Sequence, residues 1–204
     1  MFNYWNKHID PKIPEGDLAK FALSECWFTY DEFYDDVVKE HDFKVFVEVG
    51  CWKGHSISHL VKRLQERGSP FTVFAVDLWD KLPKDNELWA KFPDQIPILY
   101  SIYNYVLSKT GTRKDVFDYR MDSLNAARDF LNDSVDFCFI DASHDKEAVL
   151  ADLKAWFPKV RKGGIIAGHD ASSYGVSTAI REFNFDNQVF EHKEKDVWAV
   201  WKRD

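Results

Sequence analysis

The chain has 204 residues, 45% of them hydrophobic and 30% charged, and a net charge of −7. That length suits one domain with a single core, residues 1–204, and the acidic balance excludes a long basic track for nucleic acid, whose phosphates need clustered Lys and Arg. Cys26, Cys51 and Cys138 form no C-x-x-C pair, no basic start precedes an apolar run, and no window approaches about 18 uninterrupted apolar residues, so the expectation is a reducing, cytoplasmic setting with no membrane contact.

Residues 1–28 hold Pro11 and Pro14 without a sustained period and read as an N-terminal arm with a short helix near Asp17 to Ser24, either a lid or a wrap over the sheet edge. Thr29-Tyr30-Asp31-Glu32 matches a capping box, and Phe33, Tyr34, Val37 and Val38 keep helical spacing after it, so the core is placed over residues 29–204. Val45 to Val49, β-branched and aromatic with Glu48 near its end, reads as a central parallel strand. Gly50 and Gly54 bracket a turn, after which Ile57, Leu60, Val61 and Leu64 share one helix face opposite Lys62, Arg63, Glu66 and Arg67. Gly68-Ser69-Pro70 ends that helix, and Phe71 to Asp77 is the second strand. Residues 78–95, with Pro83 and Pro93 among Trp79, Trp89 and Phe92, read as an insertion over a pocket mouth that closes on ligand.

Ile96, Leu99, Ile102, Tyr103 and Val106 resume helical spacing up to Gly111, and Val116 to Met121 is a third strand. Asp122-Ser123 is expected to cap a helix with Leu124, Ala127, Phe130 and Leu131 on one face, and Val135 to Asp141 is the fourth strand. Ser143 is expected to cap a helix with Val149, Leu153, Trp156 and Val160 inside, stopped by Arg161-Lys162-Gly163-Gly164. Ile165 to Asp170 is the fifth strand, Val176, Ile180 and Phe183 line a short helix, and Gln188 to His192 with Val197 to Trp201 form a closing antiparallel hairpin. Such alternation predicts an α/β fold with a doubly wound, mainly parallel sheet.

In that architecture the carboxyl ends of the strands share one crevice, so Glu48 to Gly54, Asp77, Asp122-Ser123 and Asp141 converge there. A glycine turn between strand and helix lets a ligand approach bare backbone. The spacing E-x-G-x-x-x-G over Glu48 to Gly54 differs from the dinucleotide pattern G-x-G-x-x-G and resembles the first motif of class I S-adenosylmethionine-dependent methyltransferases. The runs Phe139-Ile140-Asp141-Ala142-Ser143-His144-Asp145, Val149-Leu150-Ala151-Asp152-Leu153 and Gly163-Gly164-Ile165-Ile166-Ala167-Gly168-His169-Asp170 resemble the signature of a class I family that includes metal-dependent O-methyltransferases of sugar and macrolide hydroxyls. The likeness covers roughly residues 44 to 183.

The resemblance implies a Rossmann-like methyltransferase fold, S-adenosylmethionine as cofactor and a divalent metal, Mg²⁺ or Mn²⁺. It implies cofactor contacts from Glu48, Gly50, Cys51, Lys53, Gly54, Asp77, Asp122, Ser123 and Asp141. Asp77 would accept both ribose hydroxyls, Asp122 would take the adenine amino group with the Ser123 backbone behind it, and Gly50 with the turn from Cys51 to Lys53 would leave room for the methionine end; strand-end acids also cap turns and helices. Asp141, His169 and Asp170 would hold the metal. His169 either coordinates, which favours Mn²⁺ over the oxygen-seeking Mg²⁺, or hydrogen-bonds a ligand. His144 would act as general base, its pKa kept low by a helix N-terminus, or else be an exposed helix-start histidine like His8, His41 and His192. His55 and His59 read as surface or packing residues. The acceptor expected is a small hydroxylated molecule such as a sugar or natural product, and the aromatic arm allows a homo-oligomer. Competing readings are a same-fold S-adenosylmethionine enzyme with other chemistry, a nicotinamide oxidoreductase, and a binding module. Absence of G-x-G-x-x-G disfavours the nicotinamide enzyme, absence of an Asn-Pro-Pro-Tyr run disfavours base-amino methylation, and retention of Asp141, His144 and Asp170 disfavours a module without activity.

Overall fold

The computed structural model describes residues 9–185, 189–192 (backbone only) and 196–203, so His8, Gln188 and the side chain of His192 lie outside the described residues. Seven strands form one sheet in the order β3-β2-β1-β4-β5-β7-β6. β1 (Val45–Val49), β2 (Thr72–Asp77), β3 (Val116–Arg120), β4 (Val135–Ile140) and β5 (Val160–Gly168) run parallel, while β6 (Val189–His192) and β7 (Val197–Trp201) close the sheet antiparallel. This matches the expected doubly wound sheet with its terminal hairpin.

Alternation across the strands divides the core in two, because successive side chains leave a strand on opposite faces. Phe46, Phe137 and Phe139 pack into the layer of α1 (Glu15–Ala22), α2 (Asp31–Glu40), α3 (His55–Arg67) and α5 (Leu99–Thr110). Val47, Val49, Cys138 and Ile140 pack into the layer of α7 (Lys146–Trp156) and α8 (Tyr174–Phe183). β1 is hydrogen-bonded to β2 on one side and β4 on the other, so the chain's winding reverses beside it. That reversal opens a crevice outside the carboxyl ends of β1 and β4.

Four local expectations need correction. α2 is capped by Tyr30 with no side-chain cap bond, so the Thr29 to Glu32 capping box is not formed; burial of the Tyr30 ring, 2% exposed, fixes how the chain enters that helix. The helix after β3 is a single turn, α6 (Ser123–Ala126), followed by a 3₁₀ turn, which buries Ala127 and Phe130 but leaves Leu131 79% exposed. Asp145 rather than Ser143 caps α7, accepting the Glu147 and Ala148 amides at 3.1 and 3.2 Å, and Ser143 Oγ accepts the Asp145 amide. Arg161 to Gly164 do not stop α7, which ends before Pro158, a residue with no N–H to continue the ladder. They lie in β5, where the register against β4 shifts between Val135 and Phe137. The irregularity has a polar anchor: Arg161 pairs with Asp136, whose Oδ2 accepts the Lys44 and Val45 amides at 2.8 and 2.7 Å. A Cβ on Gly164 would lie 2.7 Å from the Asp136 carbonyl oxygen.

Residues 78–95 form a 3₁₀ turn, Trp79–Lys81, and the short α4 (Leu88–Lys91), with Trp79 fully buried and Phe92 8% exposed. Among the described residues no helix is long and apolar enough to cross a membrane.

Candidate active site

The turn after β1 is pinned to its neighbours by backbone. Gly50 has φ +87°, and a Cβ there would sit 2.1 Å from the Asp141 carbonyl oxygen, so the turn lies directly on the end of β4. Cys51 and Trp52 donate their amides to Asp77 Oδ2 at 2.8 and 2.9 Å, and Trp79 donates its amide to Oδ1 at 2.7 Å. Trp52 and Trp79 both have positive φ, +45° and +49°. Such strain costs on the order of 1–3 kcal/mol per residue and persists only where the surroundings over-determine it. Here the carboxylate of Asp77 receives both amides, and Trp79 Nε1 donates to the Trp52 carbonyl at 2.9 Å. Asp77 therefore joins the exits of β1 and β2. Burial raises its pKa, against the lowering effect of the amides it accepts. A carboxylate offers about four lone-pair sites, and three amides already occupy most of those on Asp77, which leaves it less acceptor capacity for ribose hydroxyls than the sequence alone suggests.

Glu48, 1% exposed, accepts the Tyr34 hydroxyl at 2.7 Å on Oε2 and the Ser56 hydroxyl on Oε1. Burial pushes its pKa up to about 8, so it is a largely neutral acid bracing the turn from below. Lys53 is fully buried and faces the N-terminal arm, donating to the Ser24 carbonyl at 2.5 Å and to Glu25 at 3.1 Å; Gln95 also donates to Glu25, at 2.9 Å. Hydrogen bonds from Ser24, Gln95 and Lys53 hold Glu25 down to about 2. A Cβ on Gly54 would meet Leu107 and Tyr103 at 2.6 and 2.7 Å, so this glycine admits α5 against the start of α3. The arm then crosses the turn, with Trp27 stacked on Trp52 at a centroid distance of 5.0 Å.

At the ends of β4 and β5 a second cluster forms. Ligand atoms of Asp141, His144 and Asp170 all lie within 4.8 Å of one another. His144 Nε2 is 2.7 Å from Asp170 Oδ2, and His169 Nδ1 is 3.3 Å from the same oxygen and 3.8 Å from Asp141 Oδ1. Asp170 has φ +55°, which turns the chain sharply off β5 and brings its carboxylate back to the two imidazoles. Hydrogen bonds from His144 and His169 hold the Asp170 carboxyl well below its ordinary range. The hydrogen bond that His144 donates to Asp170 raises the His144 pKa, a direction opposite to the one a helix N-terminus alone would give. His169 is raised as well, burial opposing the shift and the Asp170 and Asp141 carboxylates prevailing. Burial raises Asp141. Its Oδ2 accepts the Tyr30 hydroxyl at 2.8 Å.

Asp122 lies exposed beyond β3, accepting the Leu124 and Asn125 amides on Oδ1 at 3.0 and 3.2 Å as the cap of α6. Ser123 Oγ accepts Trp156 Nε1 at 2.8 Å, so this side chain faces α7. A family described as a methyltransferase domain matches residues 47–171, more than half of the chain.

The chain belongs to this methyltransferase family. Its strand order and family together make it a class I S-adenosylmethionine-dependent methyltransferase. Among solved structures, a putative caffeoyl-CoA O-methyltransferase from Staphylococcus aureus is similar, with TM-score 0.63 and 13% identity over 91% of this chain and 90% of that one. An O-methyltransferase from Bacillus cereus in complex with SAH is similar with TM-score 0.57 and 19% identity, covering 95% and 94%. The O-methyltransferase NovP gives 0.59 and 16%, covering 85% and 78%. At these identities the likeness shows the fold alone. No curated protein matches the chain.

In this methyltransferase the expected residues thus fall into two groups. Gly50, Asp77, Asp122, Asp141, His144, His169 and Asp170 border the carboxyl edge, whereas the side chains of Glu48, Cys51, Lys53 and Ser123 are directed at the protein itself and Gly54 at α5. Tyr30, Tyr34 and Trp79 were placed in their elements by the sequence but not singled out as residues of the site. Tyr30 and Tyr34 carried one signal, an aromatic pair at i, i+4 ahead of the first strand, but that spacing equally describes an ordinary core-facing helix. A cavity of about 670 Å³ between the arm and α5, lined by Ile9, Leu18, Tyr105 and Lys109 among others, lies toward the amino end of β3 rather than at this edge.

Proposed function

We propose that this methyltransferase transfers a methyl group from S-adenosylmethionine to the hydroxyl of a small molecule such as a sugar or natural product, with a divalent metal held by Asp141, His144 and Asp170. The observation that carries the reading is the gathering of those three ligand atoms within 4.8 Å beside the Gly50 turn. The complex of the Bacillus cereus neighbour with SAH supports the same cofactor product here.

The donor set is two carboxylates and one imidazole. Mixed oxygen and nitrogen ligands suit Mn²⁺ or a related transition ion better than Mg²⁺, which prefers oxygen alone. A bound cation lowers the pKa of an oxygen it contacts, which is what an aliphatic hydroxyl needs to become a nucleophile near neutral pH. His144 enters this set in place of His169, which instead holds Asp170 through Nδ1 at 3.3 Å. The remaining residues bind and orient. The bare backbone at Gly50 admits the methionine end, Asp77 takes one ribose hydroxyl on its remaining lone pair, and Asp122, whose two cap bonds fall on Oδ1, takes the adenine amino group. Holding donor and acceptor in line supplies the rest, since positioning alone can contribute roughly 7–11 kcal/mol to a two-substrate reaction. An acidic, soluble chain of this kind would act in the cytoplasm on a small acceptor, without nucleic acid or membrane.

Titration calorimetry with S-adenosylhomocysteine, NAD and Mn²⁺, followed by a methyl-transfer screen of hydroxylated acceptors before and after chelation, tests this. Binding of NAD with no response to S-adenosylhomocysteine refutes the cofactor, and full turnover after exhaustive chelation refutes the metal.

A further inference from the structure

The metal reading leaves one buried polar contact unexplained. Tyr30 is 2% exposed, and its hydroxyl donates to Asp141 Oδ2 at 2.8 Å across a sequence separation of 111 residues. Its ring is fixed on every side: 4.7 Å from Phe139, 4.9 Å from the His169 imidazole, 4.9 Å edge-on to Phe28 and 5.4 Å edge-on to Tyr34. Tyr30 is also the cap residue of α2, with non-helical φ −112° and ψ 34°, so the backbone that carries it is anchored by the first turn of a helix. A phenol held this way has one direction in which to donate.

Asp141 needs such a partner. Its backbone amide is used by the Val49 carbonyl at 2.8 Å, which places the residue but leaves the carboxylate free to rotate. The carboxylate sits between Tyr30 on Oδ2 and His169 at 3.8 Å on Oδ1. We propose that Tyr30 is the positioning residue of the metal site: by occupying Oδ2 it fixes the carboxylate plane and presents Oδ1 as the ligand atom, while its ring holds the His169 imidazole against Asp170. This inference rests on the metal reading above and adds to it a residue from outside the matched family segment, residues 47–171. Partners that orient metal ligands are worth roughly 10–100-fold in metal affinity.

The test is Mn²⁺ binding to the purified full chain by calorimetry and by electron paramagnetic resonance, for the unaltered protein, Tyr30→Phe and Tyr34→Phe. Tyr30→Phe keeps the ring and removes only the hydroxyl; it should weaken Mn²⁺ by at least about 10-fold and broaden the bound-manganese spectrum while leaving S-adenosylhomocysteine affinity and thermal unfolding near those of the parent. Tyr34→Phe removes an equivalent buried hydroxyl on the same helix, bonded to Glu48 instead, and should leave the Mn²⁺ Kd within about 2-fold. An unchanged Mn²⁺ Kd in Tyr30→Phe overturns the inference and leaves the metal reading standing. Equal weakening in both variants also overturns it, because the effect would then belong to α2 as a whole. Failure of the unaltered protein to bind Mn²⁺ overturns the metal reading and this inference with it.

Discussion

Replacing Glu48 with Gln asks whether the acid of the first motif is a charge or a neutral brace. Glu48 is 1% exposed, and burial lifts its pKa from 4.5 to about 8 in spite of the hydroxyls of Tyr34 and Ser56, which favour the charged form. At neutral pH the carboxyl is then mostly protonated, with the Tyr34 hydroxyl on one oxygen and the Ser56 hydroxyl on the other. Gln keeps an acceptor for Tyr34 in its carbonyl and directs its amide at Ser56 Oγ, whose freely rotating hydroxyl turns to accept. The sign follows from linkage. A carboxyl whose pKa is raised on folding gives stability that is fully present below the unfolded value of 4.5 and is lost as pH rises through about 8. Between those values the native protein binds about one proton more than the unfolded chain, so the parent loses about 1.4 kcal/mol per pH unit relative to Glu48→Gln. From pH 5 to 8 the difference grows to at most about 4 kcal/mol. Urea unfolding of metal-free, cofactor-free protein at several pH values in that window, followed by far-UV circular dichroism, measures it as a widening gap in midpoint at constant slope. Parallel pH profiles for the two proteins would refute the reasoning, since Glu48 would then titrate as an ordinary exposed acid.

Asp152, 6% exposed, has its pKa lifted by burial from 3.8 to about 6, so by the same sign Asp152→Asn should match the parent near pH 4 and exceed it by up to about 3 kcal/mol above pH 7, read from thermal unfolding at both pH values. Gly50→Ala forces a Cβ to within 2.1 Å of the Asp141 carbonyl oxygen at φ +87°, and should abolish S-adenosylhomocysteine binding in calorimetry while the far-UV spectrum keeps its α/β character. Asp77→Asn turns an acceptor of three amides into a group that must direct its own N–H₂ at one of them; thermal unfolding of the cofactor-free protein should fall by a margin equivalent to about 1–3 kcal/mol, and no change would show that the turn holds without it.

The architecture was legible because its signals are periodic and local. Val45 to Val49 alternates between two buried layers, Ile57, Leu60, Val61 and Leu64 recur at helical spacing and are all at most 1% exposed, and Gly50, Gly54 and Gly68 mark places where the backbone takes positive φ. Two of the misread segments are those where a side chain formed a tertiary contact in place of its local one. The Thr29 to Glu32 box was not formed because Tyr30 is committed to Asp141. Arg161 to Gly164 have the composition of a helix stop, and what keeps them in the sheet is Asp136 on the neighbouring strand, invisible from their own neighbourhood.

The same distinction separates which strand-end acids the sequence could identify from what it could say about them. Parallel strands bring Glu48, Asp77 and Asp141 to one edge, and that convergence follows from topology alone. Their states do not, because each is set by donors from elsewhere. Glu48 meets hydroxyls inside the core and becomes a neutral acid; Asp77 meets three amides and fastens two turns. Asp141 meets one phenol and keeps an oxygen toward His169. Of the three acids, Glu48 and Asp77 have most of their hydrogen-bonding capacity taken by the protein, while Asp141 keeps spare acceptor capacity beside Asp170 and two imidazoles. The unused acceptor capacity of the edge therefore lies at the ends of β4 and β5, which is where the proposed metal site stands.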